Sequence, residues 1–472
     1  MDSNHYDVVI IGAGLSGLSA ATRLGMFEKK VLLLEKHYVV GGLNSFYAKG
    51  SKKFDVGLHA LTNYPSEYSG KKSPLLKLCR QLRIPFDSLN LYEQSHSRIS
   101  FPGKDIIFTN HFPDFLAQIE QNFPKSIDAF IKLLEKMEKF PAYSVDAPEL
   151  STREILSNSD IEPLLGEMLL CPTCYYGSAQ HDDIDFPTFV MLFDAIFRQG
   201  LARPEQGIRA ILDPLCQRLK ELGVERRMNT GVSKFHVRDD QITEIELESG
   251  EYVIADQIIS TCGVIETESL LSSDYQSESQ SKTGDFTIIE SISVMQGKPR
   301  DLNWKETVVF FNDSAKFDYV CPKDPVDLRS GVICIPENYN SANDPNDFKL
   351  RITHPANFSF WSSLSNEEYV NEKEKYEDLI FQNGLRHISN KQESKDEIAS
   401  RILLRDTFTP KTIKRFTSHE NGTLYGSPTK SRNGSTKLKN LFLAGTDQGY
   451  IGIVGAMLGG IAVANNQILR PA

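Results

Sequence analysis

Residues 7–21, DVVIIGAGLSGLSAA, followed at 31–35 by VLLLE, decide how this chain folds. Apolar residues run unbroken from Val8 to Ile11, give way to small residues at Gly12, and recur with a period near 3.6 from about Leu15. The period switches back at Val31, which predicts a strand over 6–11, a helix from about 15 and a strand over 31–35, together a βαβ unit. Gly12-Ala13-Gly14-Leu15-Ser16-Gly17 fits GxGxxG at the junction of strand and helix. Gly12 suits a tight turn, Gly14 leaves room for a pyrophosphate at the helix amino end, and Gly17 allows close helix packing. Glu35 ends the second strand 18 residues after Gly17. A carboxylate there accepts both ribose hydroxyls of a dinucleotide and disfavours a 2'-phosphate.

The rest of the composition narrows the class. A chain of 472 residues, 40% hydrophobic and 24% charged, reads as globular with two or three domains. A net charge of -10 and a pI near 5.6 argue against a broad nucleic-acid surface, and no nucleic-acid motif is present. Seven scattered cysteines point to a reducing compartment, the cytosol or its membrane face. Cys171-Pro172-Thr173-Cys174 has no second CxxC at ligand spacing, so it reads as two buried thiols and no metal is expected. The opening run has Asp2, His5 and Asp7 before it rather than Lys or Arg, so it does not read as a signal peptide. The apolar run 452–464 is thirteen residues, short of the ~20 of a spanning helix, and no transmembrane segment is expected.

Residues 112–140 predict two amphipathic helices divided near Pro124, with Phe115, Ile119, Phe130, Leu133, Leu134 and Met137 on apolar faces that pack as core or wall an apolar pocket. From Gly207 to Cys262 a helix and short strands rejoin the first domain, 272–284 reads as a solvated loop, apolar alternation after it suggests a sheet, and 366–383 reads as a charged helix. The expected division is 1–100 and 201–270 for two parts of the nucleotide domain, 101–200 for a helical substrate- or membrane-facing region, 271–405 for a substrate domain of mixed sheet and helices, and 406–472 for the last part of the nucleotide domain.

NAD and FAD share the first fingerprint, and the other end of the chain separates them. NLFLAGTDQGYIGIVGAMLGGIAVAN begins as a buried strand at 441–444, turns at Gly445, offers Asp447 where the strand ends, and starts an apolar helix near Ile453. This arrangement resembles the carboxy-terminal flavin motif of the FAD family that includes amine oxidases and phytoene desaturases. Within it the chain looks most like CrtI-type desaturases, carotenoid isomerases and retinol saturases. The likeness rests on Gly41-Gly42, on FDVGLHAL with Asp55, Gly57 and His59, on ADQIIST at 255–261, and on TPKTIKRFTSHENGTLYG with Arg415 and Tyr425. Glu205-Gln206-Gly207 stands where relatives carry Gly-Gly, and Leu43 where many carry a basic residue.

The resemblance implies an α/β fold: a Rossmann-like FAD-binding domain of glutathione-reductase or amine-oxidase type with an inserted α+β substrate domain. It implies FAD as cofactor, Asp447 as a ribitol ligand, and Gly445, Gly452, Ile453, Val454 and Gly455 at the ring end, where a helix amino end stabilises charge on the reduced flavin. It adds Lys36, Gly41, Gly42, Leu43, Asp55, Gly57, His59 and Val232 to the cofactor-binding set. The implied reaction is desaturation, saturation or isomerisation of C=C bonds in an apolar polyene or isoprenoid lipid. Saturation and desaturation need a group that moves a proton, for which His59 leads and Arg415 and Tyr425 follow. The alternatives are an amine or ring oxidase of the same fold, or a non-enzymatic prenyl-binding protein like the Rab GDP dissociation inhibitors. An apolar substrate implies peripheral attachment to a membrane.

Overall fold

β1 (His5–Ile11) is apolar without alternation because it runs through the middle of a parallel sheet and is covered on both faces. It pairs with β2 (Val31–Leu34) on one side and with β12 (Tyr252–Ser260) on the other. This arrangement is seen in a computed structural model that describes residues 4–470 apart from 66–69, 71–72, 278–280, 342, 344 and 389–393. β9 (Glu225–Arg227) extends the sheet beyond β2, and β18 (Leu441–Leu443) pairs in parallel with the far end of β12. The hairpin of β10 (Val232–Arg238) and β11 (Gln241–Leu247) joins the start of β12 antiparallel. Three distant stretches of chain therefore build one nucleotide domain, and the first helix (Leu15–Gly25) packs on the terminal helix (Gly452–Val463) across its face.

A second sheet has the order β17 (Ile402–Phe408), β13 (Thr287–Gln296), β16 (Asp347–Ala356), β15 (Ser330–Cys334), β14 (Val308–Asn312), β6 (Ser97–Phe101) and β7 (Lys104–Phe108). Two ribbons connect the parts: β3 (Phe46–Lys49) with β4 (Lys52–Asp55), and β5 (Leu91–Glu93) with β8 (Ala202–Pro204). The β6–β7 hairpin straddles the expected division at residue 100 and completes the second sheet by pairing with β14 in parallel. That pairing joins residues 211 positions apart, Val309 with Arg98, which local pattern does not report.

The helices Phe112–Asn122 and Ile127–Lys139 form as their periodicity predicts. Phe115, Ile119, Phe130, Leu133, Leu134 and Met137 are all buried in one cluster with Phe108, Phe193 and Phe197, so these stripes are core. Each such side chain contributes about 1.5–3 kcal/mol on burial. Cys171 and Cys174 lie buried and free on the helix Pro163–Gly177. Within the stretch read as a solvated loop, a short helix spans Ser273–Ser277, while 278–280 lie outside the described residues. The charged helix runs Asn366–Ile388, five residues past its expected end at 383. A Cβ on Gly384 would sit 2.4 Å from Ile352 Cδ1, so glycine lets the last turns lie flat on β16. The terminal helix runs on past the thirteen-residue apolar run expected to be too short for a membrane span: 452–469 is 18 residues, long and apolar enough by length and composition alone to cross a membrane, and 44% of it is buried within the protein.

Candidate active site

The two glycine-rich motifs meet. Gly12 has φ +99°, which only glycine adopts readily, and the first helix starts at Leu15 with Gly14 as its amino cap. Gly41 (φ +111°) donates its N–H to Ala13 O at 2.9 Å, bringing the Gly41-Gly42-Leu43 turn against the Gly14 side of the loop. From the other end of the chain, Ser16 Oγ donates to Ala456 O at 2.9 Å, and a Cβ on Gly460 would lie 2.1 Å from Ser16 O. Gly445, Gly449 and Gly452 all have positive φ in the turn between β18 and the terminal helix.

The cradle fits a dinucleotide. A Cβ on Gly14 would meet nothing within 4 Å, so open space lies beside backbone N–H groups at a helix amino end that has no acidic residue in its first turn. Glu35 accepts from Ala13 N–H at 2.7 Å and His37 N–H at 2.8 Å, which fixes its carboxylate beside that loop with lone pairs left for ribose hydroxyls. Glu35 O accepts from Thr230 N–H, so the start of β10, with Val232, lies next to the same strand end. Lys36 is exposed and paired with Glu248 at 2.8 Å.

Asp447 and Asp55 hold backbone. Asp447 Oδ2 accepts from Val264 N–H at 2.6 Å and Oδ1 from Ser427 N–H at 2.8 Å, with Lys430 Nζ 3.6 Å away. The buried carboxylate implied as a ribitol ligand thus fastens three segments at the turn that carries Gly445 and Gly449. Asp55 Oδ2 pairs with Arg203 at 2.6 Å and Oδ1 accepts from Ile208 N–H at 3.1 Å, where the returning helix (Arg209–Glu221) begins. A Cβ on Gly207 would fall 2.2 Å from that carboxylate, which explains why glycine is kept there although Glu205-Gln206 replaces the rest of the usual turn. Gly57 (φ +67°) presses on Leu43 O in the same way.

His59 sits beside a buried charged group that the sequence did not reveal. His59 Nε2 lies 2.6 Å from Glu290 Oε1, and Arg351 clamps Glu290 through Nε at 2.9 Å and Nη2 at 2.8 Å. Arg351 Nη1 donates to Leu58 O at 2.7 Å, and Arg203 donates to both Leu58 O and His59 O. Tyr339 OH and Cys334 Sγ also donate to His59 O, so the main chain at 58–59 is fixed from three elements. Burial lowers the basicity of His59 more than Glu290 restores it. Burial pushes Glu290 up, but Arg351 and His59 outweigh it and hold the carboxyl below the usual range. A charged residue in the middle of an apolar strand, Glu290 in TIIESISVMQ and Arg351 in DFKLRITHPA, was the available signal.

Neither other proton-moving candidate joins this cluster. Tyr425 OH donates to Tyr175 O, and burial raises its phenol above the ordinary value. Arg415 is exposed on the helix Pro410–Thr417, its guanidinium 5.5 Å from the Phe416 ring centroid.

Beside the glycine turn lies a cavity of about 300 Å³, lined by Thr62 and Asn63, three residues on from His59, by Met191, Leu192 and Ala195, and by Tyr450, Val454, Gly455 and Leu458. Among the described residues, no lining residue carries a charge.

A parallel nucleotide sheet rebuilt from both ends of the chain, a second sheet whose Glu290 and Arg351 hold His59, and a cavity along the terminal helix fit a flavoprotein oxidoreductase. The sequence profile described as flavin containing amine oxidoreductase matches residues 15–280, and the chain belongs to that family. It is an FAD-dependent oxidoreductase. It is 23% identical over 474 residues to the chloroplastic prolycopene isomerase of Daucus carota, covering 90% of this chain and 72% of that one. It is 23% identical over 463 residues to 4,4'-diaponeurosporene oxygenase of Staphylococcus aureus strain MRSA252, covering 89% and 87%. Among solved structures, an oxidoreductase from Methanosarcina mazei matches with a TM-score of 0.65 at 16% identity, covering 97% of this chain and all of that one.

Proposed function

We propose that this chain desaturates, saturates or isomerises C=C bonds of an apolar polyene or isoprenoid lipid. The observation that carries the reading is the cavity: its lining among the described residues is uncharged and largely apolar, and it runs from the segment after His59 along the terminal helix. Such a lining suits a hydrocarbon chain better than a protonated amine, because among the described residues it offers no carboxylate. The names of the two relatives, a prolycopene isomerase and a 4,4'-diaponeurosporene oxygenase, support a carotenoid-like substrate.

When bound, FAD exchanges a hydride with carbon, and the protein supplies position, dryness and proton handling. Gly14 and the first helix would hold the diphosphate, Glu35 the ribose, and the turn from Gly445 to Gly455 the ring end. Val454, Met191 and Leu192 give the cavity an apolar wall, and His59, three residues before the lining residue Thr62, moves the proton. His59→Ala is expected to keep its yellow flavin and lose turnover of a carotenoid by about 10²- to 10⁴-fold. Normal turnover by that variant removes His59 from the reaction. Anaerobic mixing of the purified enzyme with carotenoids, followed by the flavin spectrum, tests the substrate class: a polyene that neither changes the flavin nor is itself converted sinks it.

The seven free cysteines support a reducing compartment. Tyr143, which lines the cavity, is exposed, as are Val145 and Leu150 nearby in sequence. These three support uptake of substrate from a membrane surface, the protein lying peripherally on it. The full chain is expected to float with phosphatidylcholine liposomes, and Tyr143→Ser with Val145→Ser to reduce the bound fraction; complete exclusion of the unmutated protein from the lipid layer would falsify this attachment.

A further inference from the structure

We propose that Glu290 is a positioning residue that fixes the tautomer of His59, so that Nδ1 is the atom that accepts the proton. The inference rests on the reading of His59 as the proton-moving group. It begins from the two-point clamp of Arg351 on Glu290, at 2.9 and 2.8 Å, with side-chain exposures of 2% and 4%. A carboxylate gripped in this way by a guanidinium stays ionised. An ionised carboxylate only accepts hydrogen bonds, so the 2.6 Å contact to His59 requires the hydrogen on Nε2. The neutral ring then carries its lone pair on Nδ1, which no group among the described residues engages. His59 keeps 17% of its side-chain surface open where its partner keeps 4%.

The surroundings favour the neutral ring between events. The groups that face it are Glu290 of β13, Arg351 and Thr353 of β16, Cys334 of β15, Tyr339, Arg203 of β8, and, through Arg203, Asp55 of β4. The charges of Asp55 and Glu290 match those of Arg203 and Arg351, so a proton on His59 leaves one uncompensated positive charge in a buried site. That cost returns the proton readily. In the direction of desaturation, the C–H electron pair becomes the new π bond as the neighbouring carbon loses its hydride to FAD, an N–H bond forms at Nδ1, and Glu290 remains ionised throughout. Two partners then act on one ring: Glu290 sets which nitrogen is basic, and Arg351 keeps Glu290 from taking the proton itself.

The test needs no substrate. Full-length flavin-loaded enzyme labelled with ¹⁵N-histidine is examined by ¹⁵N–¹H correlation near neutral pH, with the His59 signals identified by their loss in His59→Gln. The expected result is a single neutral tautomer with its proton on Nε2. In Glu290→Gln, whose amide both donates and accepts, the ring should mix tautomers and titrate at lower pH, because the carboxylate that favours its charged form is gone. A proton on Nδ1 in the unmutated enzyme, a doubly protonated ring at neutral pH, or an unchanged single tautomer in Glu290→Gln overturns the proposal. Should Glu290→Gln fail to fold, the spectrum of the unmutated enzyme decides alone. Normal carotenoid turnover by His59→Ala together with the expected spectrum overturns the catalytic reading of His59 instead, so the two failures are distinguishable.

Discussion

Glu290→Ala is expected to lower the free energy of unfolding by about 3–5 kcal/mol, because it strands the Arg351 guanidinium in a site where that side chain is 2% exposed. Arg351 would keep only its bond to Leu58 O, and a buried charge with half its partners gone is costlier than the same site without charges. The double variant Glu290→Ala with Arg351→Met should therefore recover part of the loss, since it removes the orphaned charge as well as the pair. Urea unfolding of the two variants and the unmutated protein measures this; a single variant as stable as the parent contradicts a buried pair. The pH dependence has a definite sign. Glu290 is held below its ordinary value of 4.5, so the stability it contributes is complete above 4.5 and is lost as pH falls below it. Glu290→Ala should flatten that acid limb of the stability curve.

Gly17→Ala and Gly14→Ala should fail in opposite ways. A Cβ on Gly17 would lie 2.0 Å from Gly12 O, a backbone atom fixed by the positive-φ turn, and 3.3 Å from Thr261 Oγ1. Thr261 in turn donates to Ile11 O at 3.0 Å, so neither neighbour can yield without disturbing β1. The first helix must move away, at a cost of about 1–3 kcal/mol or more. That movement also carries the helix amino end off the diphosphate, so the protein should be both less stable and colourless. Gly14 differs: its φ is -70°, ordinary for any residue, and its Cβ would stand in open space. Gly14→Ala should fold with unchanged stability in the absence of cofactor yet bind FAD weakly, because the methyl group occupies the space that the diphosphate needs. Thermal unfolding with and without added FAD separates the two, and Gly14→Ala retaining full flavin would place the diphosphate elsewhere.

The amino-acid sequence by itself determined the features that depend on neighbours a few positions apart. The switch of period at Gly12 and Val31 forces strand, turn and helix whatever surrounds them, and Gly12 with Glu35 states the ligand class because both lie at ends of adjacent strands. The terminal strand and helix, with Gly445 and Gly452, were legible for the same reason. Only the tertiary structure decided the rest. The Ser97–Phe108 hairpin joins the second sheet through β14, the helix from Asn366 runs past its expected end at 383 where Gly384 fits against Ile352, Asp447 spends its oxygens on backbone amides of distant segments, and Asp55 spends its own on the Ile208 amide and the Arg203 guanidinium. Above all, His59 gained its character from Glu290, 231 positions away, and Glu290 from Arg351, 61 positions further on. Pairing of β13 with β16 brings Glu290 and Arg351 together, and the chain after β4 lays His59 against them in a space where the low dielectric makes their mutual charges decisive. No local pattern encodes that meeting, because it is set by which strands lie side by side.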